Sequence, residues 1–167
     1  MWAVKFLVIL LGKYLFKEVL MKTDFETLKA LSQYTINHLK QAEMIEFAAD
    51  SRADLIEALA TEFGVSFATD ENIKEQAIEE VEEKFGEDIP GDITETEMFN
   101  HARKEIIKSF NGENIGGLYL MESLHNIAIR VKNFLLSNEL VEDVFSSDEE
   151  LIDFVIDKIR GFAPKRN

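Results

Sequence analysis

Residues 26–46, ETLKALSQYTINHLKQAEMIE, return with variations as residues 122–142, ESLHNIAIRVKNFLLSNELVE, and reading them together decides the fold. The match continues without a gap to 63 and 159, at a constant offset of 96. Identities include Leu28/Leu124, Leu39/Leu135, Ser51/Ser147, Leu55/Leu151 and Ile56/Ile152, with Leu31/Ile127, Ile45/Val141 and Leu59/Val155 as conservative pairs. Apolar residues in both stretches recur at steps of three and four, the period of a helix with one buried face. Each unit therefore reads as a helix, a short Glu-[Met/Leu]-[Ile/Val]-Glu connector, a capping signal and a second helix. An ungapped match across helix, connector and cap predicts an internal duplication.

Working outward, the first helix is expected over 25–42, with Leu28, Leu31, Thr35, His38 and Leu39 on one face. Ser51-x-x-Asp54 opens the second, with Leu55, Ile56, Leu59, Ala60 and Phe63 inward and Gly64 as the stop. Thr69 caps a third helix carrying Ile73, Ala77, Ile78, Val81 and Phe85 up to Gly86. Thr94-x-x-Glu97 opens a fourth, with Met98, Ala102, Ile106 and Phe110 before Gly112. A fifth spans about 118–137, and Ser147-x-x-Glu150 starts a sixth that ends at Gly161. No long run alternates with period two. The fold class is all-α: about six helices, with two related hairpins in a pseudo-twofold arrangement around a central helix pair. The connectors Glu43–Glu46 and Glu139–Glu142 either pair as one tiny two-stranded ribbon or plug the core as extended linkers. The linker reading is slightly favoured, because so short a ribbon is marginal alone.

Composition narrows the function. The chain has 18 Lys+Arg against 32 Asp+Glu, a net charge of −14, and no cysteine. Cysteine chemistry and disulfides are thereby excluded. Residues 1–22 carry Lys5, Lys13, Lys17 and Lys22 against Glu18, a net +3, so 23–167 holds −17. Phosphate binding needs a basic surface, and no nucleic-acid partner is expected. The domain division is 1–22, an apolar basic leader around Phe6–Leu11, and 23–167, a single all-α domain. Three lysines and a glutamate interrupt the leader as a membrane span. A start at Met21, or a loosely docked helix, is favoured over a membrane anchor through residues 2–20. If the leader is part of the protein, its apolar side chains require cover from the body, a partner or a bilayer surface.

The order of these elements resembles the uncharacterised bacterial family numbered five hundred and seven among the domains of unknown function. The residues carrying the resemblance are Met44-Ile45-Glu46, Thr69-Asp70-Glu71-Asn72-Ile73 running into Glu79-Glu80-Val81, and Met98-Phe99 followed by Arg103-Lys104-Glu105-Ile106-Ile107. Leu140-Val141-Glu142 resembles the same family's opening helix pair. The resemblance covers about residues 25–161. Here the third helix is less basic than the family pattern, and residues 1–20 are foreign to it. It implies a bacterial protein of this fold, and no activity, cofactor or catalytic residue.

Chemistry has one candidate centre. Glu97, His101 and Glu105 fall at i, i+4 and i+8 on one helix face, and Glu122-x-x-His125 repeats the Glu-x-x-His step of carboxylate-bridged metal bundles. Against a metal site, Glu97 already serves the capping box, so no cofactor is expected. His38 aligns with Phe134 and reads as a core or boundary residue. Gly112-Glu113-Asn114-Ile115-Gly116-Gly117 lacks the Lys-Ser/Thr of a phosphate loop and reads as a helix stop and hinge. The glutamates at 79, 80, 82 and 83 read as a solvated face, or as a docking site for a basic protein. No catalytic constellation stands out. The expectation is a non-catalytic protein-interaction or structural accessory domain of the cytoplasm, with a protein partner and room for a homodimer. A metal-binding bundle or metal-dependent enzyme, and a membrane-tethered acidic domain, are the alternatives.

Overall fold

A computed structural model describes residues 25–85, 94–110 and 114–163. The expectations for the leader, Gly86 and Gly112 lie outside these residues.

Helix α1 occupies 25–41. Its buried stripe is Leu28, Leu31, Ser32, Thr35, Ile36 and Leu39. The two hydroxyls in that stripe are satisfied: Ser32 Oγ donates to the Ile56 carbonyl at 2.6 Å and Thr35 Oγ1 to the Leu31 carbonyl at 2.8 Å. The helix ends in a Schellman pattern, with Met44 N–H bonded to the Leu39 carbonyl and Glu43 N–H to the Lys40 carbonyl. Glu43 takes the left-handed position, φ 58°, that glycine usually fills. Strand β1 (Ile45–Phe47) leads through a single 3₁₀ turn to α2 (Arg52–Ser66). Strand β2 (Phe67–Thr69) then runs without a loop into α3 (Asp70–Phe85), and α4 (Glu95–Ser109) follows. The chain returns by β3 (Asn114–Ile115) and β4 (Leu118–Leu120), then α5 (Leu124–Ser137), β5 (Val141–Val144) and α6 (Asp148–Gly161).

The molecule is mostly helical, as the periodicity requires, but the described residues also contain two small antiparallel sheets. The connectors pair as β1–β5, Ile45 opposite Val144 and Glu46 opposite Asp143, with a bulge that sets Phe47 against Val141. Ile45 is buried, and Met44, Leu140 and Val141 pack against the core as well. The favoured linker reading is therefore corrected: the connectors do pair as a ribbon, because their apolar side chains are anchored on the core and the strands are not left to stand alone. The second sheet, in the order β2–β4–β3, was not expected. It shortens the fifth helix from an expected start near Leu118 to Leu124, which Ser123 caps by accepting from Asn126 N–H. Gly116 and Gly117, at φ 60° and 88°, form the two-residue turn between β3 and β4. Two positive φ values match the strand twist of a tight hairpin, which makes this segment a hairpin turn and not a hinge.

Two further expectations are corrected at helix ends. Ser51 stands at the start of α2 but makes no side-chain cap bond. Gly64 lies inside its helix, and α2 continues to Ser66 because Ser66 and Phe67 are themselves buried, whereas α6 ends at Gly161 as expected. The capping boxes at Thr94/Glu97 and Ser147/Glu150 are both complete. Thr69 and Asn72 build a third version, in which Asn72 Oδ1 accepts from Thr69 N–H and Thr69 Oγ1 accepts from Asn72 N–H.

The main core joins α1, α2, α5 and α6 with β1, β2 and β4. Its fully buried positions recur 96 residues apart: Leu31 and Ile127, Leu39 and Leu135, Leu55 and Leu151, Leu59 and Val155, Phe63 and Ile159. The expected central helix pair, α3 and α4, is not central. It sits beside the frame on a separate cluster of Ala68, Ile73, Ala77 and Ile106. The reason is in its sequence, since each of these helices offers only a thin apolar stripe between charged residues. Among the described residues no helix is long and apolar enough to cross a membrane.

Candidate functional site

The α3–α4 pair is held at one end and opens at the other. At the held end, Arg103 on α4 donates to Asp70 Oδ1 at 2.7 Å, and Tyr119 Oη on β4 donates to the same oxygen at 3.2 Å. Its hydrogen bond to the Asp70 carboxylate raises the Arg103 pKa above its ordinary value, so the guanidinium stays charged. This tie unites the first residue of α3, the middle of α4 and the central strand of the second sheet. No local spacing announces it, because Asp70 and Arg103 are 33 residues apart.

Toward the far end a cleft of about 280 Å³ lies between the helices. Val81, Met98 and Ala102 supply its apolar floor, and Glu80, Lys84, Glu97, His101 and Glu105 surround it. Three of the five expected metal candidates thus do share one face and one cleft. Their partners within the pair are a carboxylate and an ammonium from α3, not a second imidazole. Glu97 Oε2 accepts from Thr94 N–H at 3.4 Å, and Glu105 faces Lys108 Nζ at 3.4 Å.

Glu122 and His125 are not brought to this cleft. Glu122 accepts from Ser66 Oγ at 2.7 Å and pairs with Arg130 Nε at 2.6 Å, tying the end of α2 to α5. His125 is exposed on the first turn of α5. Among the described residues no group of three or more His, Cys, Asp or Glu is placed to hold a metal ion. His38 is half-buried, as its alignment with Phe134 suggests, with Nδ1 donating to the Tyr34 carbonyl at 2.8 Å.

Lys84 and Ala102 were missed as site residues, and Glu80 was read only as part of a solvated face or a separate docking site, not as a neighbour of the Glu97-His101-Glu105 row. The signal was present: Glu80 and Lys84 are an i, i+4 pair, and Met98 and Ala102 interleave the Glu97-His101-Glu105 row. Two of the basic residues of α4 are engaged within the pair, Arg103 with Asp70 and Lys108 with Glu105. The cleft falls just below the ~300 Å³ at which small-molecule sites begin. It has the size for two or three side chains of another segment, and its surroundings favour a cationic one. Set against family models, curated proteins and solved structures, the chain finds no match in any of the three.

Proposed function

We propose that this chain is a non-catalytic protein-interaction domain of a bacterial cytoplasm, whose docking face is the α3–α4 cleft and whose partner presents a basic segment. The observation that carries the reading is the cleft itself: an apolar floor of Val81, Met98 and Ala102 set among Glu80, Glu97 and Glu105. Apolar contacts give such a face affinity, and the carboxylates choose the sign of the partner and speed its approach. The bacterial part rests on the family resemblance of Met44-Ile45-Glu46, Thr69–Ile73 and Met98-Phe99.

The remaining helices serve as a frame built from two copies of one helix–strand–helix unit, related by a pseudo-twofold. Buried positions that recur at an offset of 96, and a ribbon formed by the two equivalent connectors, support this. A strict dyad would mate the Ile45–Val144 pair with Ala48–Val141; the bulge puts Phe47 opposite Val141, one residue away. The helix exits differ too. The first unit leaves through Glu43 in the left-handed region, whereas Leu140 N–H bonds to the Asn138 side chain in the second.

The test is affinity purification of the natively tagged full chain beside a Glu80→Lys/Glu105→Lys variant, with metal analysis of both. A basic partner retained in stoichiometric amount by the wild type and lost from the variant is the expected result. Stoichiometric Fe, Mn or Zn that disappears on His101→Ala would overturn the reading in favour of a metal centre.

A further inference from the structure

We infer that residues 1–22 of this chain dock in cis on the α3–α4 cleft, making the chain's own leader the first occupant of its docking face. This rests on the reading of the cleft as a surface for a basic, apolar segment. Three observations point to the same pairing. Charge is the first: the leader is net +3 in a chain of net −14, and the cleft sets three carboxylates around its floor against Lys84. Pattern is the second. On a helical projection of about 100° per residue, Lys5, Lys13 and Lys17 fall within one arc of roughly 120°, which Phe6 and Ile9 share, leaving Leu7, Leu10, Leu11 and Tyr14 on the remainder. A segment of that kind can seat apolar side chains on Val81 and Met98 while its lysines meet Glu80 and Glu105.

Reach is the third. The leader joins the frame at Phe25, which packs against the main core. Leu28 Cδ1 lies 3.7 Å from the place a Cβ would take on Gly64, so the start of α1 is beside the end of α2. From there β2 leads directly into α3, and Glu80 stands about 15 Å along that helix. Ten extended residues span roughly 33 Å, so residues before Tyr14 reach the cleft with chain to spare. Docking also resolves the leader's own difficulty, because a run such as Phe6–Leu11 in water is an exposed apolar patch.

The chain contains a single tryptophan, Trp2, which reports on the leader alone. Its emission and its quenching by acrylamide are to be measured on the full chain at dilutions where it is monomeric. The wild type is expected to show blue-shifted emission and shielding. Both are lost in Glu80→Lys/Glu105→Lys, two positions outside the capping box and the small core, with helix content by circular dichroism unchanged. Adding Lys13→Glu/Lys17→Glu to that variant exchanges the charges and restores the shielding. Exposed tryptophan in the wild type, or shielding indifferent to the charges at 80 and 105, overturns the inference. A partner captured through Glu80 and Glu105 while Trp2 is exposed sinks cis docking alone. Shielding that follows the charge exchange with no partner captured sinks the interaction reading and leaves cis docking standing.

Discussion

Phe63 on α2 and Val81 on α3 each sit on the inward stripe of an amphipathic helix, yet Phe63 is 1% exposed and Val81 lines an open cleft. The two residues stand for two regions. Around Phe63, side chains from four helices and three strands close a continuous core. Around Val81, two helices meet over Ala68, Ile73, Ala77 and Ile106, and their alignment depends on caps and on the Asp70–Arg103–Tyr119 tie. Buried apolar area is the dominant favourable term in folding, so the α3–α4 pair is expected to open locally at a free energy well below that of the frame. The docking face proposed for this pair would profit from that difference, because helices held by few contacts can adjust to an occupant.

The most severe break of this comparison is Phe63→Ala. It should remove about 3–5 kcal/mol from global stability, read as a lower denaturation midpoint on every probe. Ile73→Ala, also fully buried, is expected to cost roughly 2–4 kcal/mol within the pair only. Hydrogen exchange should then quicken along α3 and α4 while amides of α1, α2, α5 and α6 keep their protection. Equal loss of protection across the molecule would show that frame and pair are one cooperative unit.

Capping offers a matched test. Ser147→Ala and Thr94→Ala delete the same hydroxyl cap, worth about 1 kcal/mol, on α6 and α4 respectively. The first should lower the unfolding midpoint; the second should leave it in place and speed exchange at Glu97 and Met98. The smallest effect belongs to Arg103→Ala. Its ion pair with Asp70 is partly exposed, and such pairs contribute at most about 1 kcal/mol. Faster exchange in the first turn of α3, without a change in midpoint, is the expected signature.

What the sequence made legible follows from the length of each signal. Helices of fourteen to seventeen residues repeat their period several times, so the faces carrying Leu31, Leu59, Ile127 and Val155 could be read directly. Capping boxes are local and equally plain. Strands of two or three residues cannot display alternation, which is why β2, β3 and β4 escaped notice. Ile115-Gly116-Gly117-Leu118 was nonetheless a hairpin signature. At the candidate site, one-helix spacing grouped Glu97, His101 and Glu105, and the three line one cleft. Spacing has no means of saying which neighbour a helix faces, so Glu122 and His125 were joined to a site they do not reach. Their true setting could be inferred only in part, from the i, i+8 relation of Glu122 to Arg130.

Thr69 and Leu118 are Cα partners across β2 and β4. The chain therefore departs from the frame and rejoins it at the same rung, and everything between is a closed detour. Closing a detour costs only about 0.6 kcal/mol for each doubling of its length. Lineages can accordingly lengthen, shorten or rebuild that excursion with little consequence for the frame that carries it. A short turn joining Thr69 to Leu118 would leave the ladder's geometry in place. In that sense the pair of helices is a graft, and the rung at Thr69 and Leu118 is the point at which a different one could be set.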